Sequence, residues 1–151
     1  MPTISDDFWM ARALALAAEA AASEEVPIGA VVVRDGEVIG EGFNQTLTLR
    51  DPTAHAEIIA LRRAAEKAGN HRLVNCELFV TVEPCTMCAG ALVHARIARL
   101  VYGAAEPRAG AVASSARVLD NPGLNHKVKI TSGVCADQAG RLMSDFFKQR
   151  R

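Results

Sequence analysis

Net charge is the first thing this chain lacks. Seventeen Lys and Arg balance seventeen Asp and Glu, so no global field advertises a nucleic-acid or membrane partner, and any RNA partner has to be held by a local patch. Long apolar runs are missing too: no stretch nears the roughly 20 residues that span a bilayer. The N-terminal segment carries Asp6 and Asp7 where a secretion signal would be basic. These absences lead us to expect a cytoplasmic protein with no membrane partner. Internal repeats, low-complexity linkers and long charge blocks are also absent, which leaves no candidate domain boundary. Cysteine is sparse, with Cys76, Cys85, Cys88 and Cys135 the whole complement. In a soluble intracellular chain, so few thiols point to metal or redox chemistry before a disulfide framework.

What is present is apolar substance. Half of the 151 residues are hydrophobic, enough to bury a core, and we expect one domain over residues 1–151. The segment from Asp6 to about Ser23 is Ala-rich, follows a possible cap at Ser5 and reads as a helix. Gly29 to Val33 and Glu37 to Gly42 are apolar-rich runs joined through Asp35-Gly36, a pair suited to a tight antiparallel hairpin. From about His55 to Lys67, Ile58, Ile59, Leu61, Ala64 and Ala65 recur at helical spacing before Gly69-Asn70.

Glu77 to Val82 reads as a strand broken by Pro84, Thr86 to about His94 as a helix, and Arg96 to Tyr102 as another strand. Val128 to Ile130 and Ala136 to Phe147 complete the series as a strand and a closing helix. A hairpin followed by strands alternating with helices implies an α/β protein, a three-layer α/β/α sandwich on a mixed five-stranded sheet.

The chemistry concentrates in Pro84-Cys85-Thr86-Met87-Cys88. Thiols at i and i+3 lie on one face of a helix and converge on a single ion, for which zinc fits. Their place at a helix start favours thiolate over thiol. C-x-x-C alone also suits a thioredoxin-like redox pair or half of a structural zinc site. Upstream, His55-Ala56-Glu57 supplies an imidazole and a carboxylate at the start of another helix. Counting ligands separates the options: a structural zinc is closed by four protein groups, a catalytic one keeps a position for water. Only three candidates, His55, Cys85 and Cys88, stand in spaced motifs. Cys76 and Cys135 read as small buried hydrophobes, and His71, His94 and His126 as surface or helix-end residues. Beside a three-ligand zinc, Glu57 becomes the candidate proton carrier.

His-x-Glu followed by Pro-Cys-x-x-Cys resembles the signature of the zinc nucleobase deaminases. The flanking blocks narrow this, since the chain is similar nearly end to end to the bacterial tRNA-specific adenosine deaminases. They are Glu25-Val26-Pro27-Ile28-Gly29-Ala30-Val31, Ile39-Gly40-Glu41-Gly42, Asn44, Asp51-Pro52-Thr53-Ala54-His55-Ala56-Glu57, Val82-Glu83-Pro84-Cys85, Met87-Cys88-Ala89-Gly90-Ala91 and Ser144-Asp145-Phe146-Phe147. One departure stands out. Where that family carries Asp-x-Lys-x-Gly, this chain has Glu106-Pro107-Arg108-Ala109-Gly110.

The resemblance implies a cytidine deaminase-like fold and Zn2+ held by His55, Cys85 and Cys88. It implies Glu57 as catalytic base and acid in converting the wobble adenosine of a tRNA anticodon, of an arginine tRNA, to inosine. It further implies that Asn44 hydrogen-bonds the flipped purine, that Ile28 packs against it, that the Ala56 N–H positions it, and that the enzyme is a homodimer. For RNA contact, Phe147, Lys148 and Arg150 combine an aromatic face with cations; a hydrophobic helix face with a solvated basic end reads equally well there. His71-Arg72 and Arg108 are weaker candidates for the same patch. A deaminase of a free base or nucleotide, and a zinc-stapled interaction module, remain as alternatives.

Overall fold

The computed structural model describes residues 4–150. Ser5 caps the first helix, its hydroxyl accepting from the Phe8 N–H at 3.3 Å, and α1 runs Asp6–Ala22 with Asp6 and Asp7 at its positive end. Strands β1 (Gly29–Arg34) and β2 (Glu37–Phe43) pair antiparallel. Their turn places Asp35 at φ 52 and Gly36 at φ 74, the doubly positive geometry whose twist matches a hairpin.

Helix α2 (Ala56–Ala68) ends at Gly69 in the left-handed conformation, φ 68. Then come β3 (Glu77–Val82), α3 (Thr86–His94), β4 (Arg99–Ala104), a 3₁₀ turn at Val118–Asp120, β5 (Lys129–Thr131) and α4 (Ala136–Lys148). The sheet order is β2-β1-β3-β4-β5. The pairs β1–β2 and β1–β3 are antiparallel, β3–β4 and β4–β5 parallel. The sheet is mixed and five-stranded, as expected.

Period-two alternation in β1 sorts the core into two layers. Val31 and Val33 join Phe79 and Val101 under Trp9, Met10, Ala13 and Leu16 of α1. Ala30 and Val32 face the other way, with Leu78, Val80 and Leu100, against Ala60 and Ala64 of α2 and Leu92 of α3. Helices thus cover both faces, giving the three-layer sandwich.

How closely they approach is set by missing side chains. A Cβ on Gly29 would fall 2.0 Å from the Ala13 carbonyl oxygen, and one on Gly40 2.4 Å from that of Ala60. On Gly42 it would fall 2.6 Å from the Ala56 carbonyl oxygen. Backbone therefore lies on backbone where α2 crosses β2. A bulge helps: Val32 faces Gly40 but Val33 faces Val38, so Ile39 is the extra residue that turns with Gly40 toward α2.

Some boundaries differ from the sequence expectation. Helix α2 begins at Ala56, with His55 as its N-cap. Strand β4 begins at Arg99 and not at Arg96, because Arg96 takes φ 63 and its N–H bonds the Val93 carbonyl to close α3. Strand β5 is shifted by one residue, to Lys129–Thr131. Among the described residues no helix is long and apolar enough to cross a membrane.

Candidate active site

His55 and Cys85 occupy equivalent positions on neighbouring helices. Each is an N-cap in extended conformation, φ −74 and −77, whose carbonyl accepts the first helical bond, from Ile59 and from Ala89 respectively. Neither side chain performs the usual capping duty, so both are free to point at each other. His55 Nδ1 lies 3.6 Å from Cys85 Sγ and 3.5 Å from Cys88 Sγ. The donor atoms of these three residues all lie within 4.8 Å of one another, and they are the metal-capable group found among the described residues. Cys88 is fully buried, while His55 and Cys85 are half-buried. The cluster is therefore closed from below and open on one side.

Electrostatics agree with that role. Hydrogen bonds from the Cys88 thiol and from His55 pull Cys85 down to about 3. The Cys85 thiolate beside it in turn raises His55. Cys88 is pushed up, first by its bond to Cys85 and then by burial. Two helix N-termini stabilise negative charge here, and a cation at the centre would favour thiolate at Cys88 as well. A soft N/S donor set of three, with one side open, fits a tetrahedral metal ion with an exchangeable position.

Glu57 sits in the first turn of α2, 4% exposed, and is not one of the ligand group. Burial pushes its carboxyl up to about 7, partly offset by its own backbone N–H and by the His55 charge. Its carboxyl lies beside the ligand group, within reach of the His55 charge and of Cys88.

The other candidate positions divide into two places. Asn44, 7% exposed, donates its backbone N–H to the Ile28 carbonyl at 3.1 Å. The next residue, Gln45, donates to Ala54, just before His55 and Ala56. Ile28, Asn44 and Ala56 are thereby laced to the metal-capable cluster. Phe147, Lys148 and Arg150 lie on and after the end of α4. Phe146 is buried and Phe147 is 46% exposed, their rings edge to face at 5.3 Å. One aromatic thus belongs to the core and the other to the surface. The Arg150 guanidinium stacks on Phe146 at 3.5 Å and pairs with Glu24, whereas Lys148 makes no ion pair among the described residues.

Phe147, Lys148 and Arg150 line an open cavity of about 930 Å³ together with residues 104–109. The departing loop is ordered by its own acid: the Glu106 carboxylate accepts from the N–H groups of Arg108 and Ala109. His71 and His94 are exposed, and His126 Nε2–H donates to the Ile97 carbonyl at 2.7 Å. None of the three joins the ligand cluster. Cys76 is a buried hydrophobe, and Cys135, half-buried, caps α4.

Two further carboxylates carry no signal of their role in the sequence. Glu25 is buried and accepts from Leu47 N, Thr48 N and Thr48 Oγ1. Glu83 is buried and accepts from four backbone N–H groups and one hydroxyl. Both stand in the quoted blocks, but nothing local shows which distant loop supplies their donors.

Comparison with known proteins places this geometry. The family described as MafB19-like deaminase matches residues 4–151. A tRNA-specific adenosine deaminase of Haemophilus influenzae is 50% identical over 147 residues, covering 97% of this chain and 85% of that protein. A solved structure from a study of A-to-I editing by tRNA:A34 deaminases superposes with TM-score 0.87 at 46% identity, over 89% of this chain and 98% of that one. A guanine deaminase from Nitrosomonas europaea superposes with TM-score 0.83 at 26% identity, over 97% and 86%. The fold is common to both activities, and a guanine deaminase from Bacillus subtilis is 42% identical over 68% of this chain, so the family rests on the tRNA-specific adenosine deaminases that match 95% or more of it. A shared sequence over nearly its whole length, together with this metal-capable cluster, means that the chain belongs to the tRNA-specific adenosine deaminases of the cytidine deaminase superfamily.

Proposed function

We infer that this protein is a zinc-dependent enzyme that hydrolytically deaminates adenosine to inosine at the wobble position of a tRNA anticodon, an arginine tRNA being the expected substrate. The spacing of the donors supports zinc as the metal. Zinc–sulfur and zinc–nitrogen bonds of about 2.3 and 2.05 Å at a tetrahedral angle put N and S about 3.6 Å apart. The His55 to Cys85 and Cys88 separations are 3.6 and 3.5 Å. Three protein donors leave the fourth corner for solvent, which favours a catalytic over a structural ion. A redox role for Cys85 and Cys88 is disfavoured because the same sulfurs would be occupied.

When bound, zinc lowers the pKa of a coordinated water toward neutrality. Glu57 takes a proton as the water oxygen bonds to C6 of the purine. It delivers that proton to the ring nitrogen beside C6, and then passes the remaining C6 hydroxyl proton to the amino group as the C6–N bond breaks, leaving a C6 carbonyl and ammonia. Asn44 and the Ala56 N–H hold the flipped base, and Ile28 packs on it. Asn44 suits this task because its side-chain amide can both donate and accept a hydrogen bond. Phe147, Lys148 and Arg150 bind RNA beside the cavity at α4, Phe147 through its exposed face.

We take residues 1–151 as one deaminase domain acting where tRNA is, in the cytoplasm. The enzyme is expected to be a homodimer, for which light scattering should give twice the 16.1 kDa chain mass. The deciding experiment mixes the protein with an adenosine-containing anticodon stem-loop, and separately with free guanine, cytosine and adenine, with a chelated sample as control. Inosine and ammonia from the stem-loop, abolished by chelation, are expected. Ammonia from a free base with none from RNA would replace this reading by that of a free-base deaminase.

A further inference from the structure

Among the described residues, Glu83 is the buried carboxylate with the most donors and no part in the chemistry above. It follows β3 directly and is 4% exposed. Its Oε2 accepts from the N–H groups of Val112, Ala113 and Ser114 at 3.1, 2.9 and 3.0 Å. Its Oε1 accepts from the Glu106 N–H at 3.1 Å and from the Ser114 hydroxyl. Backbone bonds frame the same contact: Glu83 N donates to the Ala104 carbonyl and Ala111 N to the Pro84 carbonyl, each at 2.8 Å. Gly110 presses against it, since a Cβ there would fall 2.4 Å from Glu83 Cδ. The segment 104–114 is folded around one side chain.

That side chain stands between two working parts. Two residues onward is Cys85. On the other side, residues 104–109 form one wall of the cavity whose opposite wall is α4 with Phe147 and Lys148. We propose that Glu83 is a positioning residue for RNA, its carboxylate fixing the wall Glu106–Ala109 in register with the strand end that carries Pro84 and Cys85. The proposal rests on the reading of that cavity as the RNA-binding face.

A carboxylate is required because both oxygens must accept. Glu83→Gln keeps shape and volume but makes one oxygen an NH2 group. The favoured orientation leaves the amide oxygen on Val112, Ala113 and Ser114 and turns the NH2 toward Oε1's former partners. The Ser114 hydroxyl can rotate to accept from it; the Glu106 N–H cannot, and donor meets donor. The Glu106 end of the wall is released while the far end stays tied.

The test compares wild type, Glu83→Gln and Ser114→Ala for metal content, for kcat and KM on an adenosine-containing anticodon stem-loop, and for stem-loop binding by fluorescence anisotropy. Glu83→Gln is expected to retain its zinc, to keep kcat at saturating RNA within about twofold, and to raise KM and Kd about tenfold, the worth of one lost charge-assisted hydrogen bond. Ser114→Ala, which leaves every N–H contact in place, should raise both about twofold in the same direction. The proposal is overturned if KM and Kd stay at wild-type values in both variants. It is equally overturned if kcat falls in step with lost zinc, which would mean that the carboxylate serves the metal or the fold. Should Glu83→Gln fail to fold, Ser114→Ala decides alone. Wild type that binds the stem-loop without making inosine condemns the reading of the reaction and leaves this one to the binding data; wild type that binds no stem-loop overturns both.

Discussion

Glu57 and Glu83 are equally hidden from water, each 4% exposed, yet they are opposite kinds of group. Burial raises Glu57 to about 7 because little around it stabilises the anion. Burial also acts on Glu83, but the N–H groups of the 104–114 segment and the Ser114 hydroxyl outweigh it and bring that carboxyl down to about 2. Desolvation sets the cost of charge, and the number of donors decides whether the cost is met. One carboxyl is pushed up to about 7 beside the metal-capable cluster. The other is a fixed anion around which a loop is built. The two carboxyls are therefore set apart by the hydrogen-bond donors each one meets.

The strongest way to break this contrast is to remove the raised carboxyl. Glu57→Gln should retain about one zinc per chain, since the ligand group does not include Glu57. It should lower kcat on the stem-loop by about 10²–10⁴-fold. Turnover within a few-fold of wild type would remove Glu57 from the reaction.

Disturbing the helix that carries Glu57 comes next. Gly42→Ala drives a methyl into the Ala56 carbonyl and the Ala60 N–H, 2.6 and 2.8 Å away. It should cost about 1–3 kcal/mol in denaturant unfolding and lower kcat at temperatures where the protein remains folded. Glu83's donors lie in a separate segment, so stem-loop affinity should change much less; equal losses in both would blur the division between the two carboxyls.

Glu25 tests whether donor count is the general rule. Burial raises it, but hydrogen bonds from Thr48 and Leu47 win and its carboxyl lies below the ordinary glutamate range. A depressed folded-state value contributes stability above the unfolded pKa that is lost as pH falls through the folded one. Urea unfolding followed from neutral pH into the acid range should show this as a decline that Glu25→Gln flattens, at about 1–3 kcal/mol at neutral pH. A parallel acid limb in the variant would refute the assignment.

The smallest effect concerns the far wall of the cavity. Lys148→Ala should leave metal and kcat unchanged and reduce the salt slope of stem-loop binding by about 0.7–0.9. The paired and stacked Arg150 contributes differently: Arg150→Ala should lose stability along with affinity, because its guanidinium packs on Phe146.

What could be read from the chain alone follows from local rules. Ser5, Asp35-Gly36 and Gly69 act on their own few bonds, so helix starts, the hairpin and the end of α2 were legible. The grouping of His55 with Cys85 and Cys88 was legible too, because metal chemistry constrains residue type and spacing. The start of β4 was misplaced by three residues because a left-handed Arg96 prolongs the exit from α3, a conformation the sequence does not advertise.

Phe146 and Phe147 read alike until packing buried one and exposed the other. Glu25 and Glu83 carried no sign of their burial in the sequence, since their donors lie 22 to 31 residues away in the chain. The close seating of α2 on β2 was equally hidden: it needs Gly40 and Gly42 opposite Ala56, Ala60 and Ala64, and only folding brings those two patterns together. Sequence by itself determined the elements and the ligand types, because those depend on neighbours along the chain. Tertiary structure decided which buried carboxyls are ringed by donors and which are not, because those donors arrive from elsewhere in the chain.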